Sequence, residues 1–218
     1  MVIIFVILTL LVALLIEHFI AKQRKPTKVS SISDFPIFNK SSIYAPVDYL
    51  ISRYHTWVHL EKEAVRVGID NFAVKALGNI FIKYIVNPGN SVKKGETIIT
   101  AEAHGQQINF RSPVGGTVRA INKLLINNTV KNAYGNDWGL IIEKEDNLEN
   151  LMSENQAKHW LKKEMRRLKD FLAESSFAPE AVGVTMYDGG NIIKGAISIL
   201  SEKVILDFEE QFLSGNNA

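Results

Sequence analysis

Between Ile80 and Lys144 the sequence is a succession of short apolar-rich runs, each closed by residues that turn a chain. The runs read IFIKYIV, SVKKGETIITAE, QQINFRS, GTVRAINKLL and DWGLIIEK. The turns fall at Pro88-Gly89-Asn90, Lys94-Gly95, His104-Gly105, Pro113 with Gly115-Gly116, and Tyr134-Gly135-Asn136. A helix needs about ten residues or more without interruption, so this spacing leaves strands. Many short strands joined by tight turns close into a compact all-β barrel or sandwich.

The flanks follow other periods. HTWVHLEKEAVRVGI alternates apolar and polar residues, which predicts a hairpin. In DNFAVKALGNI, Asp70 or Asn71 can cap a short helix. Phe72, Ala73, Ala76 and Leu77 fall on one face of that helix, and Gly78 ends it. After Asn150 the pattern turns helical, with Leu161, Met165, Leu168 and Leu172 in one stripe. Lys162, Lys163, Arg166, Arg167 and Lys169 lie largely off it. Two readings stay open: a core-facing stripe with a solvated basic face, or a basic helix lying on anionic lipid or a partner. Asp188-Gly189-Gly190 reads as a turn, followed by a helix over Leu200–Leu213.

At the other end, MVIIFVILTLLVALLIEHFIA is nearly all apolar, and about 20 such residues span a bilayer as a helix. Lys22, Arg24 and Lys25 follow at once, and positive flanks stay cytoplasmic. No basic stretch precedes the run and no small-residue cleavage site follows it, which argues against a signal peptide. The expected organisation is a transmembrane anchor over 1–21, a linker over 22–53 that packs partly on the domain, a β domain over 54–152 and a mostly helical extension over 153–218. The chain is then a single-pass membrane protein with its folded part in the cytoplasm.

Composition removes several chemistries. There is no cysteine, so thiolate metal sites, iron–sulfur clusters and a cysteine nucleophile are out. A net charge of +2 supplies no broad basic field, so nucleic acid is not an expected partner. His55 and His59 would share a strand face, too far apart for easy joint ligation, and no metal site is expected. His104 stands exposed at a turn and is the alternative chemical group at the tip. Tyr134, Asp137 and Trp138 read as fold residues. No nucleophile–base frame or phosphate loop is present, and no enzyme activity is expected.

Several motifs in order resemble one family. HTWV at His55–Val58, VGIDNFAVKALGNI at Val67–Ile80, PGNSVKKGE, AEAHGQQINFRSPVGGTVRAIN and YGNDWGLIIE are collinear with the H protein of the glycine cleavage system. The resemblance covers Tyr54 to Met152 and implies a barrel-sandwich hybrid with short flanking helices. In that family a lysine at a hairpin tip carries a lipoyl group, which swings between enzymes with an aminomethyl cargo. Aligning Glu102 and Ser112-Pro113 places Gly105 at that position.

The lysine is therefore missing, and from Gly95 to Asn122 there is no other. Lys94 and Lys123 lie beyond the strands on either side, at about 3.3 Å per strand residue from the apex. Arg111 stays protonated and is a poor nucleophile. No cofactor is expected. The favoured function is a non-lipoylated, membrane-anchored adaptor whose tip, Ala103, His104, Gly105, Gln106 and Gln107, meets a protein partner. That partner is expected among enzymes that handle lipoyl carriers. The alternative is a lipoate-carrying H protein of the glycine cleavage system or a related complex.

Overall fold

In a computed structural model of the chain, the described residues are 37–38, 43–145, 147–175, 186–187 and 191–215. The expected anchor, most of the expected linker and the Asp188-Gly189-Gly190 turn lie outside them. Among the described residues no helix is long and apolar enough to cross a membrane.

The alternating segment forms the expected hairpin, β3 (Thr56–Glu61) with β4 (Ala64–Ile69), in register Val58↔Val67 and Leu60↔Val65. The period-two pattern sends Val58, Val65 and Val67 into the core. A further strand, β2 (Tyr49–Ile51), pairs with β3 inside the stretch expected to be linker. The short runs downstream supply β5 (Phe81–Ile85), β6 (Ser91–Val92), β7 (Thr97–Ala103), β8 (Gln106–Arg111), β9 (Gly116–Ile121) and β10 (Leu140–Lys144). They sort into a six-stranded sheet, β2-β3-β4-β10-β9-β6, and a three-stranded sheet, β5-β7-β8. Val118, Leu140 and Ile142 of the first sheet share one core with Ile99, Ala101, Ile108 and Phe110 of the second.

The short helix α1 spans Asn71–Leu77, and Asp70 is its cap: the carboxylate accepts from the Ala73 amide at 2.9 Å. Gly78 ends α1 at φ 77°. A Cβ there would stand 2.8 Å from the Gly195 Cα, so the position excludes every other residue on space as well as on backbone.

The extension is woven into this frame. Helix α2 (Glu154–Ser175) is followed by β11 (Met186–Tyr187), β12 (Asn191–Ile193), a 3-10 turn (Ile197–Ile199) and α3 (Glu202–Phe208). The last continues into a π-helical segment, Glu209–Leu213. Strand β1 (Ile37–Phe38) pairs with β12, Phe38 opposite Ile192. Phe38 is buried and meets the Phe72 ring edge-on at 5.9 Å. Phe171, Phe208 and Phe212 pack on one another and belong to the same core as the two sheets. Residues 36–218 form one compact unit. A fully buried apolar side chain of this size stabilises by about 1.5–3 kcal/mol, so the extension is a structural part of that unit.

Candidate functional site: a glycine-tipped hairpin and a buried charge network

Strands β7 and β8 pair up to Ala103↔Gln106, which leaves His104 and Gly105 as a two-residue loop. Their φ values are 51° and 82°. Positive φ at both central residues is the type I′ geometry, whose twist matches that of the strands. His104, Gly105 and Gln107 are exposed, Gln106 is half-buried, and Ala103 is buried beneath the turn. A Cβ built on Gly105 meets nothing within 4 Å. The apex therefore stands clear of the body, and its second residue has no side chain.

The outer face beside the apex carries a feature that residue alternation does not reveal. The pairing of β5 with β7 slips between Ile82 and Tyr84. Such a bulge turns two successive side chains to one side. Lys83 and Tyr84 are both exposed, while Ile82 and Ile85 are buried. The Lys83 ammonium lies 2.9 Å from the Glu102 carboxylate. One rung below, Thr100 donates to Asn109, and Asn109 donates to Glu209 at 3.1 Å. The C-terminal segment thus contacts the hairpin strand directly.

At the base of the fold the structure corrects the expectation for His55. It precedes β3, in a turn at φ 56°, and is fully buried. It therefore does not share a strand face with His59. Its ring stacks on Phe72 at 4.5 Å and on Trp160 at 4.8 Å. Nδ1 lies 2.8 Å from Asp70 Oδ2, and Nε2 faces Glu164 Oε2 at 3.7 Å, an ion-pair contact too long for a hydrogen bond. Burial alone would lower the pKa of His55. The charge and hydrogen bond of Asp70 and the carboxylate of Glu164 outweigh it and raise the pKa to about 9. Burial would likewise raise Glu164, yet His55 and Arg167 together hold it below 4.5.

The carboxylates on either side make the His55 ring a member of a buried ion-pair network. Arg167 donates to both Glu164 oxygens at 2.7 Å and to the Gln211 carbonyl at 3.0 Å, with its guanidinium over the Phe212 ring. Arg167 was grouped with the basic residues of α2, and the fold turns it to this network. The four charged groups tie the start of β3, the cap of α1, helix α2 and the C-terminal segment together.

The other candidates take structural places. Half-buried His59 packs on Tyr49. Asp137 accepts from the amides of Lys131 and Asn132. Trp138 stacks beneath Arg66, and Tyr134 joins the cluster of Tyr44, Tyr49 and Trp57.

Two β-sheets around one core, with a short capped helix at the base and a projecting two-residue hairpin, define a mainly β, lipoyl-type domain. The glycine cleavage H-protein family model matches residues 49–164, and the chain belongs to that family. The glycine cleavage system H protein of Corynebacterium jeikeium is 35% identical over 100 residues, 43% of this chain and 79% of that protein. That of Coprothermobacter proteolyticus is 34% identical over 116 residues, 50% of this chain and 91% of its own. Among solved structures, the H protein of Mycobacterium marinum superposes with a TM-score of 0.50 at 21% identity. It covers 54% of this chain and 99% of its own, and so speaks to the fold alone. The family match ends at Glu164, which leaves the second half of α2 and all that follows as an addition.

Proposed function

We propose that the chain is a membrane-anchored, H-protein-like adaptor that carries no lipoyl group and offers its hairpin tip to a protein partner. The observation that carries this reading is Gly105. It occupies the apex where the family has its lysine, in a turn that glycine suits, with no lysine from Gly95 to Asn122. A lipoyl amide needs a primary amine, and the apex holds none. The exposed His104 and Gln107 offer hydrogen-bonding groups to a docking protein, and Ala103 supports them from below. The partner class that fits such a surface is an enzyme that handles lipoyl carriers. The apolar run over 1–21 would hold the module at the membrane, with the folded part in the cytoplasm.

The second reading is a lipoate carrier, favoured by the H-protein relatives and by one observation. Lys83 brings an exposed amine to the strand beside the tip, although Glu102 holds it in an ion pair. Intact mass of the full chain from a lipoylating host separates the two. An unmodified mass supports the adaptor. A lipoyl-sized adduct overturns it, and peptide mapping then assigns the acceptor lysine. Crosslinking in membranes tests the tip itself. A partner captured by the wild type and lost in His104→Ala/Gln107→Ala supports docking there, and undiminished capture removes the tip from the interface.

A further inference from the structure

Helix α2 turns two very different faces outward and inward. Ala157, Leu161, Met165, Leu168, Phe171 and Leu172 are buried against the domain. The apolar stripe is therefore consumed by the core, and this helix cannot insert that stripe into a lipid layer. Lys158, Lys162, Lys163 and Arg166 are all exposed. They recur at three- and four-residue spacing and so form one continuous face, roughly 12 Å from end to end at the helical rise. His159 lies beside them, and the exposed acids Asp170 and Glu174 continue the row from Arg166 toward the end of the helix. Among the described residues, none of the four enters an ion pair.

We propose that this basic face of α2 docks the domain on an anionic lipid surface. Two observations choose lipid over protein or nucleic acid. First, the face is purely electrostatic: no large apolar side chain of α2 is exposed. Protein interfaces draw their energy from buried aromatic and apolar anchors, which this face lacks. A diffuse row of lysines needs only a charged plane, and all four cations lie within about a Debye length or so of one another. Second, residues 1–21 are apolar at spanning length and are followed by Lys22, Arg24 and Lys25, so the sequence itself supplies a reason for the domain to be near a bilayer. Tethering turns weak attraction into a high local concentration, and four cations then suffice. The inference rests on the anchor and is independent of whether the hairpin is lipoylated.

The test uses the full chain in nanodiscs of phosphatidylcholine, with or without phosphatidylglycerol. The chain has no cysteine, so an Ala173→Cys variant takes a single fluorophore. Ala173 is exposed two turns beyond Arg166, on the same face. Energy transfer to a headgroup-labelled lipid reports how close the face lies to the bilayer. Transfer should be high in anionic discs, low in neutral ones, and lost at high salt. It should also be lost in Lys158→Glu/Lys162→Glu/Lys163→Glu/Arg166→Glu, since each cation removed weakens association about five-fold. All four positions are exposed and glutamate is a good helix former, so an unchanged melting curve will confirm that the variant is folded. Equal transfer in both disc types overturns docking while leaving the anchor intact. Failure to enter discs of either kind overturns the anchor and docking together. Transfer that ignores lipid charge while an added oligonucleotide or acidic peptide binds the face assigns it to that macromolecule and overturns the lipid.

Discussion

His55 and His104 share a backbone conformation and almost nothing else. Both sit in turns at positive φ, 56° and 51°. For a residue with a Cβ that region costs about 1–2 kcal/mol. At His55 the cost is offset by two ring stacks and two carboxylates in a sealed interior. At His104 it is imposed by the I′ turn, and the side chain stands exposed. One histidine holds the fold together and the other is free to meet something outside it. Conformation alone does not distinguish them; burial and neighbouring charge do.

The comparison can be broken most directly at the buried end. His55→Leu leaves Asp70 and Glu164 buried without their shared cation, and should lower stability by about 3–5 kcal/mol in urea denaturation. His104→Ala should leave the midpoint where it was. Equal effects from the two variants would end the distinction. The pH profile comes next. The folded pKa of His55, about 9, lies above its ordinary 6.5, so its contribution is complete below 6.5 and is lost as pH rises through 9. Glu164 is shifted the other way, so its share is present above 4.5 and fades as pH falls through its lower folded value. Denaturation across pH should show an alkaline decline on the order of 3 kcal/mol. His55→Gln should flatten it, and an unchanged alkaline limb would remove His55 from the account.

At the tip the effects are smaller. Gly105→Lys places a side chain at φ 82° with open space around it, so the loss should be about 1–2 kcal/mol from backbone alone. The same variant, weighed intact from a lipoylating host, sharpens the comparison: a lipoyl adduct absent from the wild type would show that only the amine was missing. A misfolded product would refute the turn assignment. Smaller again is Lys83→Met, which removes a half-exposed ion pair and should change stability by less than about 1 kcal/mol. A larger loss would mean that the tip leans on its neighbours as the buried site does.

What the sequence revealed follows the same division. The hairpin over His55–Ile69, the cap at Asp70 and the stop at Gly78 are local decisions, written in alternation and in capping chemistry within a few residues. The hairpin turn at His104-Gly105 was legible because Glu102, Gly105 and Ser112-Pro113 lie within one unbroken stretch. The charge network was not, because its members come from the start of β3, from α1 and from α2, and nothing near His55 announces Glu164. The bulge at Lys83 was hidden too, since an extra residue in a strand leaves the apolar count unchanged. Alternation counted from His55 to His59 suggested a shared face, and the turn before Thr56 broke that phase. The tail looked helical by period, and its strand β12 was missed because its partner, β1, lies at the far end of the folded part.

That pairing of Ile37–Phe38 with Ile192–Ile193 has a consequence for the order of events on the ribosome. Phe38 emerges about 150 residues before Ile192, which pairs with it. The two sheets and the hairpin can assemble while the chain is still growing, but the clasp closes only once Ile192 and Ile193 have emerged. Closing so long a loop is slow, and it happens late, after most other contacts are in place. Nascent chains halted before residue 191 should therefore hold a folded hairpin and an uncovered Phe38, a surface that chaperones would find.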